Sequence, residues 1–467
     1  MLERSNFNRE KVFGTDGIRG TPGTYPLTDG MMFKIATGIA RLIWYKKDNG
    51  HRSKVVIGQD TRVSSKHIEG ILSDTLSAHD IDVLLAGVIT TPGLSFLVKD
   101  TGASMGVMIS ASHNKATDNG IKFFNSEGYK LSSEEEEWVE DIIFSSLIHK
   151  SGGIDKKRQG KVVVMEDAQD RYIDFLKSVV KGVDLSSLHL VIDYACGAGA
   201  AFGKKLFDQL GITVSAINDS PSGEHINLGG AMDPSRLKKV VLNKGANIGV
   251  GLDGDGDRSI VVDEQGNILD GDHLLTIIAQ DRMRVEKLTK NTVVTTHMSN
   301  LGFKKAMKKM GVQVLYTNVG DKYVVKALLD HKLNVGGEQS GHIILLDYLP
   351  CPDGLLTGLV LCNIMQKVRQ PLSKLSERMK KFPQILINIR VKEKIAFEDI
   401  ESINQAIDDA NAKLKDKGRL FLRYSGTEPL ARIMVEAEDE NLMNEVADDL
   451  ASLIKQELGV QPDGVGV

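Results

Sequence analysis

The sequence predicts an α/β protein: three similar mixed α/β domains followed by a smaller C-terminal α+β domain. Two observations predict it. First, a strand–helix–strand–helix–strand pattern recurs three times, each copy ending in a short apolar run that passes through a glycine into a polar loop. These runs read A-S-M-G-V-M-I-S at Gly106, A-N-I-G-V-G-L-D at Gly249 and L-N-V-G-G-E-Q-S at Gly336. Second, the pattern changes after Phe382-Pro383. Strands alternating with helices imply crossover connections and largely parallel sheets covered on both faces.

The elements follow in order. The first repeat opens with a strand at Lys54–Gly58, continues with one at Ile81–Leu85 and closes in the Gly106 run. The second uses Leu188–Asp193 and Thr213–Ile217, and the third Thr292–Thr295 and Val312–Tyr316. The tail reads as strand Gln384–Val391, helix Asp399–Leu414, strands Arg419–Arg423 and Ala431–Glu436, and helix Asn441–Glu457. Open sheets of this kind bind ligands beyond the carboxyl ends of their strands, so the loops after the three glycine runs are expected to meet in a central cleft.

Length and composition agree. At about 100–200 residues per domain, 467 residues suggest three or four domains. Boundaries are placed at 1–165, 166–265, 266–380 and 381–467. With 58 Lys plus Arg against 62 Asp plus Glu, the formal charge of −4 gives no electrostatic case for binding nucleic acid or a membrane surface. Cys196, Cys351 and Cys362 lack paired spacing, which points away from disulfides and cysteine zinc sites and toward a reducing compartment. The polar opening carries no apolar signal-peptide core, and no run reaches the roughly 18 apolar residues of a membrane span. A soluble cytoplasmic protein is expected.

Four loops carry chemistry. In the first, Ser112 precedes His113 within a turn-rich segment that includes Asn114, Asn119 and Gly120 and can present a hydroxyl outward. No Gly-x-Ser-x-Gly elbow surrounds Ser112, so a hydrolase triad is less attractive than a phosphoserine. In the second, Asp253, Asp255 and Asp257 alternate with glycines, and three clustered carboxylates repel one another without a cation. A twelve-residue calcium loop would end on Glu264, but Ser259–Asp263 reads as a strand, so magnesium beside a phosphate is preferred. Arg258 is placed to bind or neutralise the same phosphate.

The third loop, Gly336–His342, offers the Glu338 carboxylate, the Ser340 hydroxyl and the His342 imidazole, a mixed donor and acceptor set suited to sugar hydroxyls. The fourth combines Arg423, Ser425, Gly426 and Thr427 with nearby Arg432, suited to a phosphate that does not react.

In chain order, Phe13–Gly20 (F-G-T-D-G-I-R-G), the Ser112 loop, the Asp253 loop, Gly337–His342 and Arg423–Pro429 resemble the phosphohexomutase superfamily over nearly the whole chain. Gly337–His342 (G-E-Q-S-G-H), Ser425–Pro429 (S-G-T-E-P), Met298-Ser299-Asn300 and Gly320-Asp321 are closer to its glucosamine-phosphate branch than to the phosphomannomutase/phosphoglucomutases. The resemblance implies an isomerase, an intramolecular phosphotransferase with four domains around a central cleft. Those domains would carry, in order, the phosphoserine, the metal, the sugar site and the non-reacting phosphate.

It further implies interconversion of glucosamine 6-phosphate and glucosamine 1-phosphate, on the route to UDP-N-acetylglucosamine and peptidoglycan precursors. Phosphorylated Ser112 would be the carrier and one magnesium per chain would sit on Ser112, Asp253, Asp255 and Asp257. Glucosamine 1,6-bisphosphate or glucose 1,6-bisphosphate would be intermediate or activator. Arg19, His113, Lys122 and Arg258 would line the phosphoserine site, with Lys122 or Arg258 assisting proton transfer. Glu338, Ser340 and His342 would take the sugar, and Arg423, Ser425, Gly426, Thr427 and Arg432 the distal phosphate. A monomer or homodimer with no nucleic-acid or membrane partner is implied.

Lys115 departs from the family, which usually has proline after Ser-His-Asn. The rival readings are a phosphomannomutase/phosphoglucomutase and a non-catalytic sugar-phosphate-binding relative.

Overall fold

The computed structural model describes residues 11–46, 52–145, 159–425 and 429–460. They divide into two compact units: 1–298 with 312–377, and 299–311 with 378–467.

The first unit holds three mixed sheets built on one plan. In the first sheet, strand Lys54–Gln59 runs parallel to Asp82–Val88 on one side and Met105–Ile109 on the other. In the second, His189–Asp193 lies likewise between Thr213–Ile217 and Ile248–Leu252, and in the third, Thr292–Thr296 lies between Gln313–Thr317 and Val335–Gly337. The expected strand limits are met to within a few residues. A fourth strand in each sheet returns antiparallel: Asn119–Asn125, Ser259–Asp263 and Ile343–Leu345. The sequence predicts the Ser259–Asp263 strand, and the departure is its direction and the presence of the other two. Each signature loop is therefore the turn between the third strand and its antiparallel return. Edge strands Ile18–Gly20 and Val162–Val164 extend the first sheet, and Ile268–Leu269 the second.

The three glycines of the repeat occupy one structural position. Gly106, Gly249 and Gly336 pair across the ladder with Val56, Val191 and Val294. A Cβ on each would stand 2.4, 2.5 and 2.8 Å from a methyl of Val98, Val241 and Val324, which lie on the preceding helices Thr91–Thr101, Ser235–Lys244 and Asp321–His331. The glycine lets that helix pack directly on the sheet backbone. Strands Met105–Ile109, Ile248–Leu252 and Ser259–Asp263 are buried at every residue, as strands covered on both faces must be.

The second unit is a wholly antiparallel sheet ordered Gln384–Arg390, Leu430–Ala437, Gly418–Tyr424, with helices Glu401–Leu414 and Glu440–Leu458. Helix Leu301–Met310 belongs to it: the Leu301 N–H donates to Glu436, and Asn300 exchanges hydrogen bonds with the Phe382 backbone (2.9 and 3.1 Å).

Candidate active site

The Ser112, Asp253 and Glu338 loops all leave the carboxyl ends of third strands, and in the first unit they converge. Ser112 is buried, and its Oγ donates to Asp253 Oδ2 (2.8 Å) while lying 3.3 Å from His113 Nδ1. Ser110, two residues away, is already engaged: its Oγ donates to Asp60 (2.6 Å) and accepts the Ser112 N–H (2.8 Å). Ser112 has left-handed backbone (φ 51°), an uncommon state for a residue with a Cβ. Buried Arg62 holds the loop there, donating to the carbonyls of Ser112 (2.8 Å), Asn114 (2.9 Å), Asp118 (2.8 Å) and Lys115. An arginine clamp thus stiffens the loop that contains Lys115.

Asp253, Asp255 and Asp257 are all buried, and each offers a carboxylate oxygen within 4.8 Å of the others. Burial, with the charges of Asp257 and Asp255, pushes Asp253 up to about 8. Asp255 Oδ1 is buried with no hydrogen-bond partner. An orphaned oxygen and crowded carboxylates fit a divalent cation with oxygen ligands. The cluster is therefore a candidate metal site. Gly256 is required within it: its φ is +70°, and a Cβ there would lie 2.8 Å from Thr90 Cγ2. Thr91 braces the same loop, its Oγ1 donating to Asp255 Oδ2 (2.5 Å) and its N–H to the Asp255 carbonyl (2.9 Å).

Lys122, from the return strand of the first sheet, reaches this cluster. Its Nζ lies 2.8 Å from Asp255, 3.0 Å from Asp257 and 3.2 Å from Asp16. Burial would lower its pKa, but Asp16, Asp255 and Asp257 outweigh burial and hold it well above the ordinary lysine value. Asp16 also pairs with Arg19 and Lys130, and Lys130 reaches Asp321 (2.6 Å). Arg19 donates to Asn114 Oδ1 (2.9 Å). Burial and the cations Arg258 and Arg19 push His113 down to about 4, so it is neutral near pH 7.

His342 couples the third loop to the second. Its Nδ1 lies 2.8 Å from Glu338 Oε2 and its Nε2 3.1 Å from Asp257 Oδ1. Burial pulls its pKa down, but Asp257 and the hydrogen bonds to both carboxylates raise it to about 10. Arg258 Nε lies 3.1 Å from the same Nε2. An imidazolium cannot accept that bond, so the two cations share carboxylate charge instead. Glu338 Oε1 accepts the Gly320 N–H (2.9 Å). A cavity of about 530 Å³ opens beside these groups, lined by Arg19, His113, Arg258, Glu338, Ser340 and His342 among others.

The sequence-derived residues Arg19, Ser112, His113, Lys122, Asp253, Asp255, Asp257, Arg258, Glu338, Ser340 and His342 thus fall in one region of the first unit. His342 lines the cavity, with its ring nitrogens against Glu338 and Asp257. In the second unit Arg423 and Arg432 stand directly opposite on neighbouring strands, and Arg432 donates to Ser425 Oγ (3.2 Å). Like charges in register across a ladder are unfavourable unless an anion joins them. Gly426 and Thr427 lie outside the described residues.

The motif reading missed Asp60, Arg62, Thr91, Lys130 and Asn227. Asp60, Arg62 and Thr91 had a positional signal, since they follow the carboxyl ends of strands Lys54–Gln59 and Asp82–Val88. Lys130 and Asn227 had none in the sequence.

The chain matches four domain families of phosphoglucomutase/phosphomannomutase: alpha/beta/alpha domain I over residues 10–148, domain II over 170–266, domain III over 270–382 and the C-terminal domain over 386–453. It is similar to the phosphoglucosamine mutase of Citrifermentans bemidjiense, 43% identical over 457 residues that cover 97% of this chain and 100% of the relative. Its fold is similar to that of a phosphoglucomutase/phosphomannomutase family protein from Burkholderia thailandensis, with a TM-score of 0.76 and 21% identity over 96% of this chain and 99% of that one. It is also similar to the N-acetylphosphoglucosamine mutase of Aspergillus fumigatus in complex with GlcNAc-6P and magnesium, with a TM-score of 0.65 and 17% identity over 97% of each chain.

Proposed function

We propose, from the premise that the chain belongs to the phosphoglucomutase/phosphomannomutase family, that it catalyses the phosphoglucosamine mutase reaction, the interconversion of glucosamine 6-phosphate and glucosamine 1-phosphate. The observation that carries the chemistry is Ser112 Oγ set 2.8 Å from Asp253 at a buried three-carboxylate cluster beside an open cavity. The whole-length likeness to phosphoglucosamine mutases carries the substrate.

In this reading phosphorylated Ser112 is the carrier. Its phosphoryl group passes to O1 of glucosamine 6-phosphate: the serine P–O bond breaks, the P–O1 bond forms, and the O1 proton leaves to a basic group. The resulting 1,6-bisphosphate turns over, and its 6-phosphoryl group returns to Ser112, leaving glucosamine 1-phosphate. Glucosamine 1,6-bisphosphate or glucose 1,6-bisphosphate restores a carrier that has lost its phosphate. A magnesium ion held by Asp253, Asp255, Asp257 and the phosphorylated Ser112 would neutralise charge on the transferring group.

The side chains do the remainder. Arg258 and Arg19 face the transferring phosphoryl as fixed cations. Lys122, kept protonated by three carboxylates, balances the charge of the cluster, and Lys122 or Arg258 assists proton transfer. Neutral His113 lies against Ser112 Oγ. Glu338 and Ser340 grip ring hydroxyls in either sugar orientation, with Glu338 held by His342. Arg423, Ser425, Gly426, Thr427 and Arg432 anchor the phosphate that is not reacting. The domain limits are 1–165 for the phosphoserine, 166–265 for the metal, 266–380 for the sugar and 381–467 for the distal phosphate.

Among the described residues no helix is long and apolar enough to cross a membrane, which is compatible with the proposed cytoplasmic setting. A monomer or homodimer suffices, because the proposed residues all come from one chain.

A coupled mutase assay tests the function. Glucosamine, glucose and mannose phosphates are compared under one 1,6-bisphosphate activator. The glucosamine phosphate should give the highest specificity constant, with glucose phosphate reacting slowly, since the phosphates and most ring hydroxyls are shared. A higher value for a hexose phosphate would move the chain to the phosphomannomutase/phosphoglucomutase branch, and no turnover on any of them would favour a non-catalytic binding role.

A further inference from the structure

Asn227 lies in none of the sequence motifs, in the segment that joins strand Thr213–Ile217 to helix Ser235–Lys244. Its side chain nevertheless touches two of the loops that make the site. Nδ2 donates to the Ser112 carbonyl (2.8 Å) and to the Asn114 carbonyl (3.0 Å), while Oδ1 accepts the Gly254 N–H (2.8 Å). One carboxamide therefore bonds the serine loop of the first sheet to the carboxylate loop of the second.

The backbone around it is set for this task. Asn227 is left-handed (φ 67°), a state asparagine tolerates, and its N–H donates to the Ala195 carbonyl (2.8 Å). Ala195 and Cys196 are left-handed as well (φ 51° and 52°), and two residues further on the Ala198 N–H donates to the Gly254 carbonyl (2.8 Å). Non-glycine residues in this region persist where the surroundings over-determine them, and they cluster at functional sites. Neighbouring Ile226 is buried against Gly254, whose added Cβ would meet it at 2.8 Å. The Gly254 amide is thus held by Asn227 and its carbonyl by Ala198, from the loop after strand His189–Asp193.

We infer that Asn227 is a positioning residue that fixes the spacing of Ser112 Oγ from the three carboxylates. The inference rests on the proposed phosphoryl transfer at Ser112. The sugar and distal-phosphate contacts come from other loops, so loosening this spacing should slow the chemical step and weaken cation binding without changing sugar-phosphate affinity in proportion.

Two variants test it. Asn227→Gly accepts the left-handed backbone and deletes the side-chain bonds. Asn227→Asp is isosteric, keeps an oxygen for the Gly254 N–H and replaces the donor with an anion facing two carbonyls. For each, kcat and KM with glucosamine 6-phosphate, the dissociation constant of Mn²⁺ by calorimetry, and the folded fraction by circular dichroism are measured. In both, kcat per folded molecule should fall about tenfold or more, KM should stay within about threefold, and the Mn²⁺ dissociation constant should rise severalfold, because misplacement on the order of an ångström is costly in preorganised sites.

Wild-type kcat per folded molecule, or wild-type Mn²⁺ affinity, in either variant would overturn the inference and leave Asn227 a stability residue. If the unsubstituted protein itself shows no mutase activity, the proposed function fails. The Mn²⁺ comparison then still decides the positioning role.

Discussion

Ser112 Oγ and Asp253 Oδ2, 141 residues apart in the chain, lie 2.8 Å from one another at the meeting of two repeats. A serine hydroxyl so placed presents its oxygen to the candidate metal site, whereas Ser110 is bonded to Asp60 and to the Ser112 backbone. Peptide mass spectrometry is expected to locate a single phosphate on Ser112. Ser112→Ala should lower kcat by roughly three orders of magnitude or more while keeping the fold, as removal of a nucleophilic carrier does. Full activity in Ser112→Ala would move the carrier elsewhere.

Chelation should abolish turnover, and magnesium should restore it. Asp255 carries the orphaned Oδ1 of the cluster, so Asp255→Asn should weaken Mg²⁺ binding by roughly tenfold or more, given that even residues which merely orient a ligand cost that much. Calorimetric titration reads the affinity directly. Wild-type affinity in Asp255→Asn would refute this oxygen as a ligand.

Lys122 is the nearest cation to Asp255 and Asp257 and is almost wholly buried. Removing one partner of a buried ion pair leaves uncompensated charge, so Lys122→Met should destabilise the metal-free protein by about 3–5 kcal/mol. Added Mg²⁺ should recover part of that loss, because it supplies positive charge to the same carboxylates. Denaturant unfolding with and without Mg²⁺ measures both numbers, and equal losses in the two conditions would argue against a shared electrostatic site.

Asp353 caps helix Gly354–Val368 and accepts the Tyr172 hydroxyl in a fully buried setting. Burial raises it from 3.8 to about 6. The folded state then binds a proton more tightly than the unfolded state, so this residue's contribution to stability grows as pH falls from about 6 toward 3.8 and is lost above 6. Asp353→Asn retains a capping oxygen and removes the ionisation. The variant should be at least as stable as the unsubstituted protein at pH 8, by up to about 3 kcal/mol, with the advantage shrinking on acidification. Urea midpoints at pH 8 and pH 5 check it, and an advantage that grows on acidification would contradict the assignment.

Arg423 faces Arg432 across neighbouring strands of the second unit. If a phosphate joins them, Arg423→Ala should raise KM for glucosamine 6-phosphate by about tenfold or more, the worth of a charged hydrogen bond, with a smaller effect on kcat. A fall in kcat alone would assign this arginine another role.

Local order is written in the sequence because it depends on neighbours along the chain. The alternation of apolar strands with helices, the glycines at 106, 249 and 336, and the spacing of Asp253, Asp255 and Asp257 all act over a few residues, and so the three repeats, the loops and the candidate ligands were legible. The glycine repeat is legible in the sequence, but its cause is not. Only the folded structure puts Val98, Val241 and Val324 against them.

Tertiary structure alone decided what depends on contacts between distant segments. The antiparallel return strands were not distinguishable from further parallel ones, since both are buried on two faces and carry the same apolar pattern. The clamp of Arg62 on the Ser112 loop, the reach of Lys122 to Asp255, the His342 bridge from Glu338 to Asp257 and the Asn227 bonds to two loops join residues 27 to 133 positions apart, most of them across repeats. A lone arginine, lysine or asparagine has many possible partners. Which one it takes is fixed when the sheets pack and burial leaves no water to satisfy its donors.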